Sequence, residues 1–165
     1  MSAPLTPHTF GTRVGLLIAT CGYLGYAPVA PGTFGSAAGV ALLYALRFTG
    51  LPAAELSAIV VLFVVGIWSA SETERALKMT DPGPVVIDEV VGMLMTVALL
   101  PVNGFGMFIG FLVFRLLDII KPWPAARFES LHGGLGVMAD DAMAGLYGNL
   151  VMRGLLLLAP SWLTA

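Results

Sequence analysis

Long apolar runs alternate with short polar stretches along this chain. The runs cover 35–48, 56–70, 90–100, 105–114 and 142–163. Thr49-Gly50-Leu51-Pro52 separates the first run from the second, and Pro101-Val102-Asn103-Gly104 the third from the fourth. Each break carries turn chemistry, and a Gly/Pro break between two apolar runs predicts a helical hairpin. Backbone polar groups in hydrocarbon must be paired within their own segment, so the runs are predicted to be α-helices rather than open strands. The predicted fold is all-α: an integral membrane bundle of about five spanning or re-entrant helices. One domain, 1–165, is expected, with 1–33 an interfacial N-terminal segment and Gly/Pro loop and 34–165 the bundle. Arg13 followed by an apolar stretch superficially resembles a removable signal. Gly22, Gly25, Pro28 and Pro31 interrupt that stretch, so it is read as interfacial instead.

Composition points the same way. Of 165 residues, 58% are hydrophobic and 11% charged, with a mean hydropathy of +0.90; soluble domains carry about 25% charge. Eighteen charges cannot cover a water-soluble surface of this size, which excludes a disordered chain and an ordinary soluble globule. A net charge of −2 supplies no basic field for nucleic acid. The single cysteine, Cys21, excludes a disulfide scaffold.

The charges fall into two islands. Glu72, Glu74, Arg75, Lys78, Asp81, Asp88 and Glu89 form one; Arg115, Asp118, Lys121, Arg127, Glu129, Asp140 and Asp141 form the other. If the turns at 49–52 and 101–104 share one side, the loops 20–34, 72–87 and 121–141 share the other. That other side then holds six of the eight basic residues, leaving Arg47 and Arg153 opposite. The positive-inside rule places both islands in the cytoplasm.

Three charged clusters gather at helix ends on this side. Asp88-Glu89 is predicted to open the third helix, followed by the small face of Gly92 and Thr96. Arg115, Asp118 and Lys121 recur every third residue at the end of the fourth. Asp140-Asp141 is predicted to open the last helix, with Gly145 and Asn149 following at four-residue steps. Glu72, Glu74, Arg75 and Lys78 read as solvated ends of a helix. The three clusters read differently, because five converging carboxylates repel one another unless a cation sits between them. All-oxygen donors suit Mg²⁺, and zinc spacing of His or Cys is absent. Arg115 and Lys121 offer a planar fork and a point charge for phosphate. Two Gly-bearing stretches face the same mouth: Ala30-Pro31-Gly32-Thr33-Phe34-Gly35-Ser36, with Thr33 or Ser36 as a cap or anion cradle, and His132-Gly133-Gly134-Leu135-Gly136. Together these features describe a Mg²⁺-dependent phosphate site at a membrane surface.

Four blocks carry a resemblance to a known family. Tyr26-Ala27-Pro28-Val29-Ala30-Pro31-Gly32-Thr33-Phe34-Gly35-Ser36 resembles its P-x-A/V-P-G-T-x-G-S stretch, and Val86-Ile87-Asp88-Glu89-Val90-Val91-Gly92 its V-x-D-E-x-x-G stretch. Phe114-Arg115-Leu116-Leu117-Asp118-Ile119-Ile120-Lys121-Pro122-Trp123-Pro124 resembles F-R-x-x-D-x-x-K-P-W-P. His132-Gly133-Gly134-Leu135-Gly136-Val137-Met138-Ala139-Asp140-Asp141-Ala142-Met143-Ala144-Gly145 resembles H-G-G-x-G-x-x-x-D-D-x-x-A-G. In this order and spacing they resemble the phosphatidylglycerophosphatase A family.

The resemblance implies a multi-pass, Mg²⁺-dependent phosphatase of the bacterial inner membrane, converting phosphatidylglycerophosphate to phosphatidylglycerol. Its partners would be a phospholipid phosphate and the surrounding membrane lipids. By motif, Asp88, Glu89, Asp118, Asp140 and Asp141 are implied as metal or catalytic carboxylates. Arg115, Lys121, Gly32, Thr33, Gly133 and Gly134 are implied on the phosphate side, with His132 a candidate proton donor to the leaving oxygen. Either an aspartate attacks phosphorus or a metal-activated water does so directly; the second is favoured because no Asp sits in a recognisable nucleophile motif. A CDP-alcohol phosphatidyltransferase would need a later pair of Asp four residues apart, whereas Asp140 and Asp141 are adjacent. A phosphohistidine lipid phosphatase would need Lys/Arg-Pro and Ser-Arg/His stretches that are absent. A non-enzymatic transporter would place charges at mid-helix rather than at one mouth.

Overall fold

The computed structural model describes residues 9–128 and 131–164, so Glu129 and the first eight residues lie outside the described residues. The described chain is helical: α1 (Phe10–Ala19), a 3₁₀ turn (Leu24–Tyr26), α2 (Pro31–Arg47), α3 (Pro52–Leu77), α4 (Ile87–Val97), α5 (Gly104–Ile120), α6 (Ala125–Phe128), α7 (Gly134–Leu158) and α8 (Pro160–Leu163). Among the described residues β-pairing is confined to one isolated bridge, Val102 with Thr164. The five apolar runs become α2, α3, α4, α5 and α7. α1 is a further helix, packed against α3.

Both Gly/Pro breaks form the expected turns. Pro52 starts α3, where a missing N–H costs nothing. Asn103 caps α5, its Oδ1 accepting from the Gly106 N–H at 2.8 Å. Asn103 Nδ2 also donates to the carbonyls of Trp162 and Thr164, tying the end of the described chain to this turn.

α4 sits at the centre. Nine of its eleven residues are buried, and α2, α3, α5 and α7 pack around it. At about 1.5 Å per residue it is only about 16 Å long. Its C-terminal carbonyls therefore end inside the bundle and need donors. Arg47 supplies them to Val97 and Leu100 from Nη2 and to Val102 from Nη1, while its Nε is paired with Glu55 at 3.2 Å. The other Glu55 oxygen accepts from the Leu99 N–H at 2.9 Å. From the opposite flank, Asn149 Nδ2 donates to the carbonyls of Met95, Thr96 and Ala98. Since Arg47 and Glu55 flank one turn and Leu99–Val102 lead into the other, the two turns lie side by side.

Two helix starts differ from the sequence expectation. α2 begins at Pro31, so Gly32 to Ser36 form its first turns rather than a preceding loop; Ser36 Oγ donates to the Gly32 carbonyl within the helix and does not cap it. α7 begins at Gly134, so Asp140 and Asp141 sit nearly two turns inside it. The reason is contact: a Cβ on Gly134 would stand 2.1 Å from the Ile67 carbonyl oxygen, and the Gly134 N–H donates to Ser71 Oγ at 2.9 Å. The glycines let the helix start early against α3.

Outer faces are apolar. Val60, Val64, Leu116, Ile119, Leu150 and Leu157 stand exposed, the reverse of a water-facing surface. Among the described helices, α3 is long and apolar enough to cross a membrane.

Candidate active site

All four sequence blocks meet at the N-terminal end of α4. Asp88 and Glu89 occupy its first turn, where carboxylates complement the helix dipole. Asp141 reaches them from α7, because α4 and α7 approach through small residues. A Cβ on Gly145 would stand 2.5 Å from the Gly92 carbonyl oxygen, and one on Gly92 would stand 2.8 Å from that of Asp141. The helices touch backbone to backbone, and that spacing brings oxygens of Asp88, Glu89 and Asp141 within 4.8 Å of one another. α2 closes the third side: a Cβ on Gly32 would lie 2.1 Å from Glu89 Oε1 and 2.9 Å from Arg115 Nη1. Only glycine leaves room there.

α5 brings the basic side. Arg115 Nη1 lies 2.5 Å from Asp118 Oδ2 and 3.9 Å from Glu89 Oε1, so it stands between the two carboxylates. Lys121 follows as the C-cap of α5 in left-handed backbone, φ 47°, and its Nζ is 2.6 Å from Asp140 Oδ2. Asp140 Oδ1 in turn accepts from the Asp141 N–H at 3.0 Å. The five sequence carboxylates therefore divide. Asp88, Glu89 and Asp141 cluster, Asp118 holds Arg115 beside them, and Asp140 pairs with Lys121 at the rim. Thr33 is half-buried next to Gly32, whereas His132 is exposed ahead of α7. Gly133 and Gly134 lie against Ser71 of α3.

The cluster is electrostatically incomplete. Two unit charges 4–5 Å apart repel by about 3–4 kcal/mol at an effective dielectric of ~20. Among the described residues, the cation paired with this three-carboxylate cluster is Arg115, 3.9 Å from Glu89 and already shared with Asp118. Asp88 Oδ1, Glu89 Oε2 and Asp141 Oδ2 are buried without a hydrogen-bond partner among the described residues, a costly state unless something binds them. Oxygen donors of this number and hardness fit Mg²⁺. The negative field also reaches Cys21, whose thiol is pushed up to about 11, first by burial and then by the Glu89 charge.

Sequence reasoning missed Arg47, Glu55 and Asn149 as the residues that hold α4 in place. Their types gave little signal: an Arg and a Glu flanking a turn read as ordinary helix-end charges. What they bind is backbone exposed only by the tertiary position of α4.

A family model described as phosphatidylglycerophosphatase A matches residues 17–156. The chain is 38% identical over 125 residues to the phosphatidylglycerophosphatase A of Escherichia coli (strain K12), covering 74% of this chain and 72% of that protein. It is 35% identical over 150 residues to a putative phosphatidylinositol-3-phosphatase of Bacteroides thetaiotaomicron, covering 88% of this chain and 91% of that protein. A phosphatidylglycerophosphatase A of Haemophilus influenzae is 34% identical over 92 residues, 54% of this chain and 56% of that protein. No solved structure matches.

Proposed function

The chain belongs to the phosphatidylglycerophosphatase A family, and on that premise we propose that this phosphatase hydrolyses phosphatidylglycerophosphate to phosphatidylglycerol and phosphate with Mg²⁺. We place it as a multi-pass protein of the bacterial inner membrane, its site facing the cytoplasm. The observation that carries the reading is the meeting of Asp88, Glu89 and Asp141, with orphaned buried oxygens, beside the Arg115 guanidinium. The exposed apolar outer faces and the length of α3 support membrane insertion.

Asp88, Glu89 and Asp141 would hold the ion. Bound there, Mg²⁺ would offset their charge and polarise a phosphoryl oxygen. Arg115 binds two of the phosphate's peripheral oxygens through its planar fork, held in orientation by Asp118 on its other edge. Its charge counts most where negative charge builds up in the transition state. Lys121, anchored by Asp140, supplies a second positive group at the rim. Water attacks phosphorus while a carboxylate of the cluster takes its proton. The phosphorus–oxygen bond to glycerol breaks, and the departing oxygen takes up a proton from water; His132, exposed ahead of α7, is not among the residues brought to the cluster. Gly32 keeps the approach between Glu89 and Arg115 free of side chain.

The putative phosphatidylinositol-3-phosphatase relative favours a second substrate reading, an inositol lipid phosphorylated at position 3. Both substrates are phosphomonoesters on lipid headgroups. Phosphate release from each in detergent micelles, with and without Mg²⁺, is the test. Mg²⁺-dependent release from phosphatidylglycerophosphate, well above that from phosphatidylinositol 3-phosphate, is expected. Release unaffected by chelation would end the metal assignment.

A further inference from the structure

Between α2 and α5 the wall of the bundle opens into an apolar groove. Ala37, Val40 and Tyr44 of α2 line one side, and Met107, Phe108 and Phe111 of α5 the other. Helical register carries both walls toward the site. On α2, Thr33, Ala37, Val40 and Tyr44 follow steps of four, three and four; on α5, Met107, Phe111 and Arg115 follow steps of four. Residues at these steps share a helix face. One wall therefore ends beside Gly32 and the other at Arg115, and these two residues meet over Glu89. The groove is lined on α2 from Ala37 to Tyr44, and the same helix face continued to Thr33 beside the site spans about 16 Å at ~1.5 Å per residue. One leaflet of a ~30 Å hydrocarbon core is about 15 Å deep.

We infer that this groove seats an acyl chain of the substrate, running from a headgroup phosphate at Arg115 down the α2–α5 cleft. The inference rests on the proposed lipid phosphomonoester substrate. Bulk lipid needs no track that leads to a phosphate site, whereas a chain tethered to that headgroup is delivered along it. Tyr44 and Phe108 are half-exposed at the outer lip, so the cleft opens sideways to hydrocarbon and a lipid can enter without leaving the membrane.

The test uses the full chain in mixed micelles, with Val40→Trp and Ala37→Phe filling the groove. Val60→Trp, on the exposed face of α3, is the control. Two substrates are compared: long-chain phosphatidylglycerophosphate and its deacylated, water-soluble headgroup. Each groove variant should raise KM for the long-chain lipid by about tenfold, as loss of about two buried methylenes implies, with kcat and all headgroup kinetics unchanged. Val60→Trp should behave as wild type. Equal losses on both substrates, or wild-type KM for the long-chain lipid in both groove variants, overturn the inference. A phosphatidylglycerophosphate analogue with a mid-chain diazirine gives a readout independent of variant folding. It should label α2 and α5; label confined to α3 and α7 counts against the groove. Failure of the substrate reading itself looks different, since the wild-type enzyme would then release no phosphate from either substrate.

Discussion

Replacing Gly145 by alanine tests whether the α4–α7 contact sets the carboxylate cluster. The new Cβ would stand 2.5 Å from the Gly92 carbonyl oxygen, 2.9 Å from Met95 Cβ and 3.0 Å from Gly92 Cα. Carbon and oxygen normally stay about 3.3–3.6 Å apart even in a favourable contact, so the helices must part locally by about 1 Å. The nearest obstacle, the Gly92 carbonyl oxygen, is backbone and cannot rotate away. Overpacking of this kind costs about 1–3 kcal/mol, yet the larger effect falls on chemistry. Asp141 sits one helical turn before Gly145 and moves away from Asp88 and Glu89, whereas metal sites tolerate about 0.2 Å. A displacement of about 1 Å can cost about 10²-fold in rate. Rate measured against Mg²⁺ concentration, with a parallel melting curve, should show turnover down by about that factor and half-saturation shifted upward. Gly154→Ala on the same helix meets nothing within 4 Å and should leave rate and Mg²⁺ dependence unchanged. Wild-type turnover and Mg²⁺ dependence in the Gly145→Ala enzyme would refute the coupling of helix spacing to the site.

Asp141→Asn should abolish or nearly abolish phosphate release while the protein stays folded, and its metal-free melting temperature should rise because one repelling charge is gone; full activity would remove Asp141 from the site. Arg115→Lys keeps the charge but loses the fork, so turnover should fall by about 10²–10³-fold with Mg²⁺ half-saturation unmoved. Wild-type turnover there would leave Arg115 with only its tie to Asp118. In a Cys21→Ser background, cysteine at Thr80 should react with an impermeant thiol reagent from the cytoplasmic side and cysteine at Leu51 from the opposite side. Labelling of both from one side would break the topology that assembles the site.

Much of this was legible because periodicity and punctuation agreed. The apolar runs and the two Gly/Pro breaks anticipated the hairpins, and the steps from Asp88 to Gly92 and from Asp141 to Gly145 anticipated small inward faces, though not that these two faces touch each other. Helix starts were less legible. Glycine is a poor helix former, so Gly32 and Gly134 read as loop; close approach to Glu89 in one case and to Ile67 in the other overrides propensity. The division of the five carboxylates was hidden too. Asp140 and Asp141 are adjacent in sequence but diverge around the helix, one toward Lys121 and the other toward Asp88. Arg47, Glu55 and Asn149 were illegible because their partners are carbonyls and an amide, which no side-chain pattern reveals.

The short central helix bears on how such a chain is made. α4 is too brief to cross a membrane unaided, and its carbonyl end needs Arg47 from α2 and the following loop needs Glu55 from α3. Both emerge from the ribosome before α4 does, so the first hairpin is a prepared berth for it. The remaining donor to that end, Asn149, and the third clustered carboxylate, Asp141, arrive with α7. Until α7 docks, α4 lacks its Asn149 donor and the cluster has two members. The three-carboxylate cluster is thus a product of complete synthesis, and a chain interrupted before α7 would carry the hairpins without it.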